Sequence, residues 1–457
     1  MKKRLAACLL LLLCLTFALN AHAAKALTFA TSYNDASSEA LARFRKETGV
    51  AVKTQNAEER KADMIRLLTS RDRSVDVYSL RSDNNTLKTL AEKGYCVDLS
   101  DVPEISAFVS QLLPEVADTV TLDGHIVAVP TAIRFPYLFT YHPALLEECG
   151  MTEADLPATL TELFDFIDRW YEEKADAYPH IVPFYAFGLS YEHRNPYLKL
   201  VLEMYRDGII AQTGALTYDT PLFRRLMQHI ARYDQAESGA ANIMYDTPQL
   251  SNTLIYCRAA NMWTLFANGE QVMMPPPALA DDIPARQPFC LQCSFVNPYS
   301  ASIDLGKKLL ACYADCPDPS LLCATSPALA APVEKPTFAR DYQDWIDIRD
   351  RAERKLASDS LSASEREDCE RSFQWASALL ADPEAHRYDI SPADLAAYQS
   401  AILPVLFPRG STLYDFDALN QQLDMLFDRY ADHALSLDAL IPELDHIVQM
   451  AVLEEGA

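Results

Sequence analysis

The sequence predicts an α/β chain in two lobes, each a mainly parallel sheet with flanking helices. Three observations carry this. Short apolar segments alternate with amphipathic ones through residues 27–94, the pattern of parallel strands joined by crossover helices. The 457 residues exceed one ordinary domain. Hydrophobic residues make up 49%, ample for real cores and too many for a disordered chain.

The elements follow in order. Leu27 to Thr31 is a strand of mostly apolar residues, and Ser38 to Thr48 has helical spacing, with Leu41 and Phe44 on one face and Gly49 ending it. Val50 to Thr54 is a second strand. Arg60 to Arg71 is a second helix, carrying Met64, Ile65, Leu67 and Leu68. Val75 to Leu80 is a third strand, and Thr86 to Lys93 a third helix closed by Gly94. Ligands of such sheets bind beyond the carboxyl ends of the strands. Later segments are mostly helical. Thr159 to Lys174 places Leu160, Leu163, Phe164, Ile167 and Trp170 on or near one face, and Pro221 to Tyr233 and Ile303 to Tyr313 behave alike. Pro275-Pro276-Pro277 marks a loop. The segment from Ser358 onward is charged and helical, and Trp345 and Trp375 are read as helix core.

The N-terminus reads as an export signal. Lys2, Lys3 and Arg4 precede an apolar run from Leu5 to Leu19, and Ala21-His22-Ala23 is a cleavage pattern. The run is shorter than the roughly 20 residues of a membrane span. Cys8 sits too early, and Leu13-Cys14 is too bulky, for a lipid-attachment box, so a soluble mature chain is expected. The whole chain has 40 Lys+Arg against 64 Asp+Glu, and losing residues 1–23 takes its net charge from −24 to −27. Such a surface repels nucleic acid and anionic lipid.

Nine cysteines remain beyond residue 23, an odd number, so at least one stays unpaired within a monomer. Cys290-x-x-Cys293 and Cys312-x-x-x-Cys316 approach metal-ligand spacing, but the intervening residues are apolar and no histidine lies nearby. Disulfides or buried thiols are the expected reading, with no metal and no cofactor. Enzyme signatures are missing. Gly188-Leu189-Ser190-Tyr191-Glu192 has Glu where a serine-hydrolase elbow needs its second glycine. H-E-x-x-H, P-loop and dinucleotide motifs are absent, and the nine histidines are scattered, expected mostly at the surface or as caps.

Several stretches resemble the bacterial extracellular solute-binding proteins of the sugar-transporter type, the group that includes maltose-binding protein. Leu90-Ala91-Glu92-Lys93-Gly94-Tyr95 followed by Val97-Asp98-Leu99-Ser100 is one. Ser74-Val75-Asp76-Val77-Tyr78 is another, with Ser74-Val75 in place of a small residue and proline. Asp123-Gly124-His125-Ile126-Val127-Ala128-Val129-Pro130 is similar to the strand that leaves their first lobe. Tyr141-His142-Pro143-Ala144-Leu145-Leu146 with Gly150, Pro157 with Thr159 to Leu163, Val296-Asn297-Pro298-Tyr299-Ser300, and Leu437 to Glu454 continue the series. The order and spacing of these motifs span roughly 300 residues.

The resemblance implies a type II-like periplasmic-binding-protein fold with hinge strands and an interlobe cleft for the ligand. Lobe 1 is expected at 24–130 plus about 297–335. Lobe 2 is expected at about 131–296 plus 336–457, which includes the C-terminal helices. It further implies no catalysis, a monomer in the periplasm or at the outer face of the cytoplasmic membrane, and delivery of a sugar or oligosaccharide to an ABC transporter permease. Sugar sites combine aromatic platforms with orienting polar side chains. The candidates are Tyr33, Asn34 and Asp35 after the first strand, Tyr78, Arg81 and Asp83 around the third, Arg134 and Tyr137 after Pro130, and Trp263 and Tyr299 beyond. Asp35 equally suits a helix cap, and Tyr78 and Trp263 equally suit core packing. Two other readings stay open. One is the same fold for a polyamine, peptide or metal complex, or as a sensor partner; Tyr33, Tyr78 and Trp263 would then cage a cation. The other is an exported glycoside hydrolase, for which nothing in the sequence places two carboxylates together.

Overall fold

The computed structural model describes residues 26–31, 37–56, 61–82, 84–187, 196–230, 251–267, 269–358, 361–409 and 417–455. The chain divides into two compact units. Unit 1 holds residues 1–134, 289–321 and 408–417, and unit 2 holds 135–288, 322–407 and 418–457. These junctions differ from the 130, 297 and 335 read from the sequence. The first two fall inside β6 (Val129–Tyr141) and β10 (Gln287–Val296), single strands that pass from one unit to the other. The expected signal segment, residues 1–23, lies outside the described residues.

Unit 1 opens as expected. β1 (Leu27–Thr31) pairs in parallel with β2 (Val52–Asn56) and β3 (Val77–Ser82). Helix α1 (Ser38–Thr48) joins the first pair. The Ser37 side chain caps its start at 3.2 Å from the Ala40 amide, and Gly49 ends it at φ 71°, a left-handed turn that suits glycine. Helix α2 (Lys61–Thr69) crosses back to β3, and α3 (Asn84–Glu92) follows it.

One strand of this sheet departs from the mainly parallel direction. The order is β2-β1-β3-β10-β6, and β10 runs antiparallel to both neighbours. A parallel neighbour needs a crossover that carries the chain back to the starting end of the sheet. β10 arrives from unit 2 at the carboxyl end of β3 and needs none: Leu291 lies opposite Ser82, and Val296 opposite Val77. Helix α4 (Ile303–Asp315) then covers the sheet, with Gly306 seated against the side chains of Val296 and Val77.

In unit 2, the β9 strand (Val272–Met274) and β8 (Thr253–Asn261) flank β6, and β7 (Val182–Phe187) lies parallel to β8. Helix α5 (Leu160–Glu173) starts with a reciprocal cap between Thr159 and Glu162, and it buries Leu160, Leu163, Phe164, Phe166, Ile167 and Trp170. Helix α6 (Pro196–Thr213) carries Tyr205, which stacks on Tyr218 at 5.8 Å. Helix α7 (Pro221–Ile230) adds Phe223, whose ring is 4.9 Å from each. The Asp445 carboxylate of α10 (Leu437–Glu455) accepts from the Tyr218 amide at 2.6 Å and ties the C-terminal helix to this cluster. Between them, α8 (Phe338–Leu356) and α9 (Ala363–Ala381) form a hairpin. Trp375, read from the sequence as core, is 52% exposed, because α9 buries only Ala376 fully. Trp345 is half-buried and meets Phe338, Tyr342 and His386 edge-on. None of the described helices is long and apolar enough to cross a membrane.

Candidate functional site

Side chains at alternate positions of a strand share a face, and so do residues directly opposite on neighbouring strands. The pairing register of unit 1 therefore sorts its sheet. Ser79 and Arg81 on β3, Ser294, Gln292 and Cys290 on β10, and Ala132 and Arg134 on β6 lie on one face. This face is polar toward the carboxyl end of β3. Gln292 donates its side-chain amide to the Ser79 hydroxyl at 2.8 Å, and the Thr131 hydroxyl donates to the Gln292 carbonyl at 3.2 Å. All three are buried. Arg81 is exposed and Arg134 half-buried, so two guanidiniums flank β10 at this end. Thr131 is the extra residue of an irregularity in β6, where the register slips between Pro130 and Ala132. That slip puts Arg134 on the face of Arg81.

Two sequence candidates fall elsewhere. Tyr78 lies on the opposite face, 2% exposed and stacked on Phe295 at 5.7 Å. It is core, because a strand in the middle of a sheet covered on both faces buries both of its sides. Tyr299 follows the end of β10, which is the amino end of β3, since the strands are antiparallel. There its half-buried ring lies under the Arg71 guanidinium, 5.9 Å away. The same corner is a structural tie. The Asn297 amide donates to the Asp72 and Val75 carbonyls at 2.9 and 2.8 Å, and the Asp76 carboxylate accepts from the Thr28 amide at 2.8 Å and the Ser300 hydroxyl at 2.5 Å. Tyr33, Asn34, Asp35 and Asp83 lie outside the described residues.

In unit 2, the carboxyl end of the parallel pair β7–β8 is aromatic. Tyr185 stacks on Tyr256 at 6.1 Å and 14°. Burial pushes the Tyr256 hydroxyl up to about 12, so it stays a protonated donor. Arg258, two residues on, shares that face. Desolvation lowers its pKa from the ordinary arginine value, and its guanidinium donates to the Thr264 carbonyl at 2.5 Å. Trp263 is 43% exposed on the turn that follows β8. The Asn261 side-chain oxygen holds this turn by accepting from the Trp263 and Thr264 amides at 3.1 and 3.2 Å. Of the two sequence candidates in unit 2, only Trp263 is presented to solvent. Tyr137 is 2% exposed, packed edge-on against Phe139 at 6.3 Å, and its carbonyl accepts from the Gln287 amide at 2.6 Å. It is core because β6 is buried along almost its whole length.

Sequence reasoning missed Tyr185, Tyr256 and Gln292. The first two form part of a strand pair with no recognisable motif. The third reads as a polar interruption within Phe289 to Val296, which is itself a usable signal: a glutamine in a buried strand needs a partner. Cys290 and Cys293 lie three residues apart on one strand, so they point to opposite faces and cannot chelate together. None of the nine cysteines is in a disulfide, and burial pushes Cys96 up to about 12. His142, expected as a surface residue or a cap, is buried and caps the helix at Pro143–Glu148.

The sequence profile of the bacterial extracellular solute-binding protein family matches residues 39–277, more than half of the chain. Among curated protein sequences none matches. Solved structures share the fold at low identity. A sugar transporter protein from Rhizobium etli, in an open conformation, is 13% identical, with 93% of this chain and 99% of that chain covered and a TM-score of 0.52. The maltose-bound MalE3 protein of T. maritima is 14% identical, with 93% and 99% covered and a TM-score of 0.56. An ABC substrate-binding protein from Listeria monocytogenes in complex with cycloalternan is 14% identical, with 93% and 97% covered and a TM-score of 0.53.

Proposed function

The chain belongs to the bacterial extracellular solute-binding protein family, and from that premise we propose that it captures a sugar or oligosaccharide outside the cytoplasm and delivers it to an ABC importer. It binds without catalysis, as a monomer, after export and loss of residues 1–23. The observation that carries the sugar reading is Trp263, held exposed on an Asn261-braced turn at the carboxyl end of β8, next in the chain to the face that stacks Tyr185 on Tyr256. An aromatic plane presented to solvent by a rigid turn is a platform for the apolar face of a sugar ring. Arg81 and Arg134 are further candidates, as donors for hydroxyl groups. Tyr33, Asn34, Asp35 and Asp83 follow the carboxyl ends of β1 and β3 in sequence and belong to the same proposed contact set. The maltose and cycloalternan carried by structural neighbours fit this class.

Thermal unfolding of the mature protein against maltose, larger glucans, other sugars and polyamines tests the reading. A ligand at 100 times its dissociation constant adds about 2.7 kcal/mol of stability. A shift with one sugar class, no turnover of it, and loss of that shift in Trp263→Ala are the expected results. A shift with polyamines only would overturn the sugar assignment.

A further inference from the structure

A histidine and two aspartates meet in unit 2, and the sugar reading uses none of them. Asp165 and Asp168 stand one helical turn apart on α5, on the flank of its buried stripe; the first is exposed and the second half-buried. His229, near the end of α7, faces them. It is 9% exposed, and its ring lies flat on Phe164 at 5.7 Å and 17°, which fixes the imidazole plane. One carboxylate oxygen from each aspartate and one ring nitrogen of His229 all lie within 4.8 Å of one another. The Nδ1 atom of His229 is buried and has no hydrogen-bond partner. A buried imidazole nitrogen without a partner is uncommon, and a ligand that fills it is one explanation.

We propose that Asp165, Asp168 and His229 bind a divalent transition-metal ion of the Zn²⁺ type. The donor set decides the class. One imidazole nitrogen with two carboxylates suits Zn²⁺ and its first-row neighbours, whereas Ca²⁺ and Mg²⁺ take oxygen-only shells. Zinc bonds of about 2.0–2.2 Å put tetrahedral ligand atoms roughly 3.4 Å apart. The triad must therefore tighten by up to about 1.4 Å, and rotation of the exposed Asp165 side chain supplies much of that. The ion screens two like charges one turn apart on the same helix. Water completes the shell on the exposed side. The bound ion clamps α5 to α7 through side chains that share no backbone ladder.

The test uses the full mature chain, stripped with chelator and titrated with ZnCl₂ by calorimetry, with Co²⁺ substitution to read the ligand shell. One equivalent binds, and the melting temperature rises. The Co²⁺ spectrum is that of a nitrogen–oxygen shell without thiolate bands. Asp165→Asn with Asp168→Asn, both away from the core, weakens zinc binding at least ~10-fold, while the melting temperature in chelator stays that of the parent. His229→Gln is the second variant, and its folding is checked by circular dichroism. Absence of saturable binding below millimolar zinc overturns the proposal. So does binding that the aspartate variant leaves unchanged, or a Co²⁺ spectrum dominated by thiolate, which would assign the ion to the cysteines.

Discussion

Asn297→Ala probes the tie at the amino end of β3. The side chain is fully buried, with 0% exposure. Its amide donates to the Asp72 and Val75 carbonyls at 2.9 and 2.8 Å, and its oxygen accepts from the Tyr299 amide at 3.0 Å. Alanine removes three hydrogen bonds and leaves two carbonyls and an amide to find other partners in a closed corner. At about 1 kcal/mol for each bond, the loss is about 3 kcal/mol. Urea unfolding followed by circular dichroism reads it directly. With a slope of roughly 2–3 kcal/mol per molar, the midpoint falls by about 1 M or more. Affinity of the folded protein for its ligand should hold within about threefold, because this corner lies at the end of the sheet away from Arg81. A midpoint within ~0.2 M of the parent, joined to a lost affinity, would refute the assignment of Asn297-Pro298-Tyr299-Ser300 as a structural tie.

Other outcomes follow from the same geometry. On the proposed sugar reading, Trp263→Ala lowers affinity about tenfold, the worth of one stacked ring, with little change in the melting temperature because Trp263 is 43% exposed; calorimetry checks it. Gly306→Ala brings a methyl to 3.0 and 3.1 Å from the two Val296 methyls and 3.3 Å from a Val77 methyl, and costs about 1–3 kcal/mol in urea unfolding. Hydrogen bonds from the Ser100 backbone and hydroxyl, with a smaller contribution from His125, lower the Asp98 pKa from its ordinary value. A carboxylate depressed in the folded state contributes stability above its unfolded value near 4 and loses it as pH falls toward its folded value. Melting measured between pH 6 and 3 should therefore decline on the acid side, and Asp98→Asn should shallow that decline. Burial pushes the Cys96 thiol up to about 12 and raises Cys257 and Cys293 too. Iodoacetamide at pH 8 should spare these three in the folded protein and label them in urea, as read by mass spectrometry.

Much of the architecture was legible because its signals are local. The helix at Ser38–Thr48 matches its expected bounds, set by a serine cap and a glycine stop. The amphipathic stretch at 159–174 needs only its stripe and its Thr159–Glu162 cap. The direction of β10 was not legible, because antiparallel return is a property of where the chain comes from and not of the residues in the strand. Tyr299 was misplaced for that reason. Tyr78 was misread because alternation cannot reveal a face when both sides of a strand are buried, as they are from Val77 to Leu80. Arg134 was singled out as a charge in an apolar stretch, and Trp263 through the family resemblance; the structure leaves the first half-buried and the second exposed. The Asp165–Asp168–His229 group joins residues 64 positions apart at its widest, and no spacing rule reaches across two helices.

The hydrogen bond between Gln292 and Ser79 spans 213 residues of sequence. During synthesis, unit 1 cannot finish its sheet until residue 296 has left the ribosome, by which time most of unit 2 has already been made. Loop closure over such a distance is slow. A nascent chain that seals its first half so late stays open to threading, and a secretory channel that accepts only unfolded polypeptide would have time to engage it.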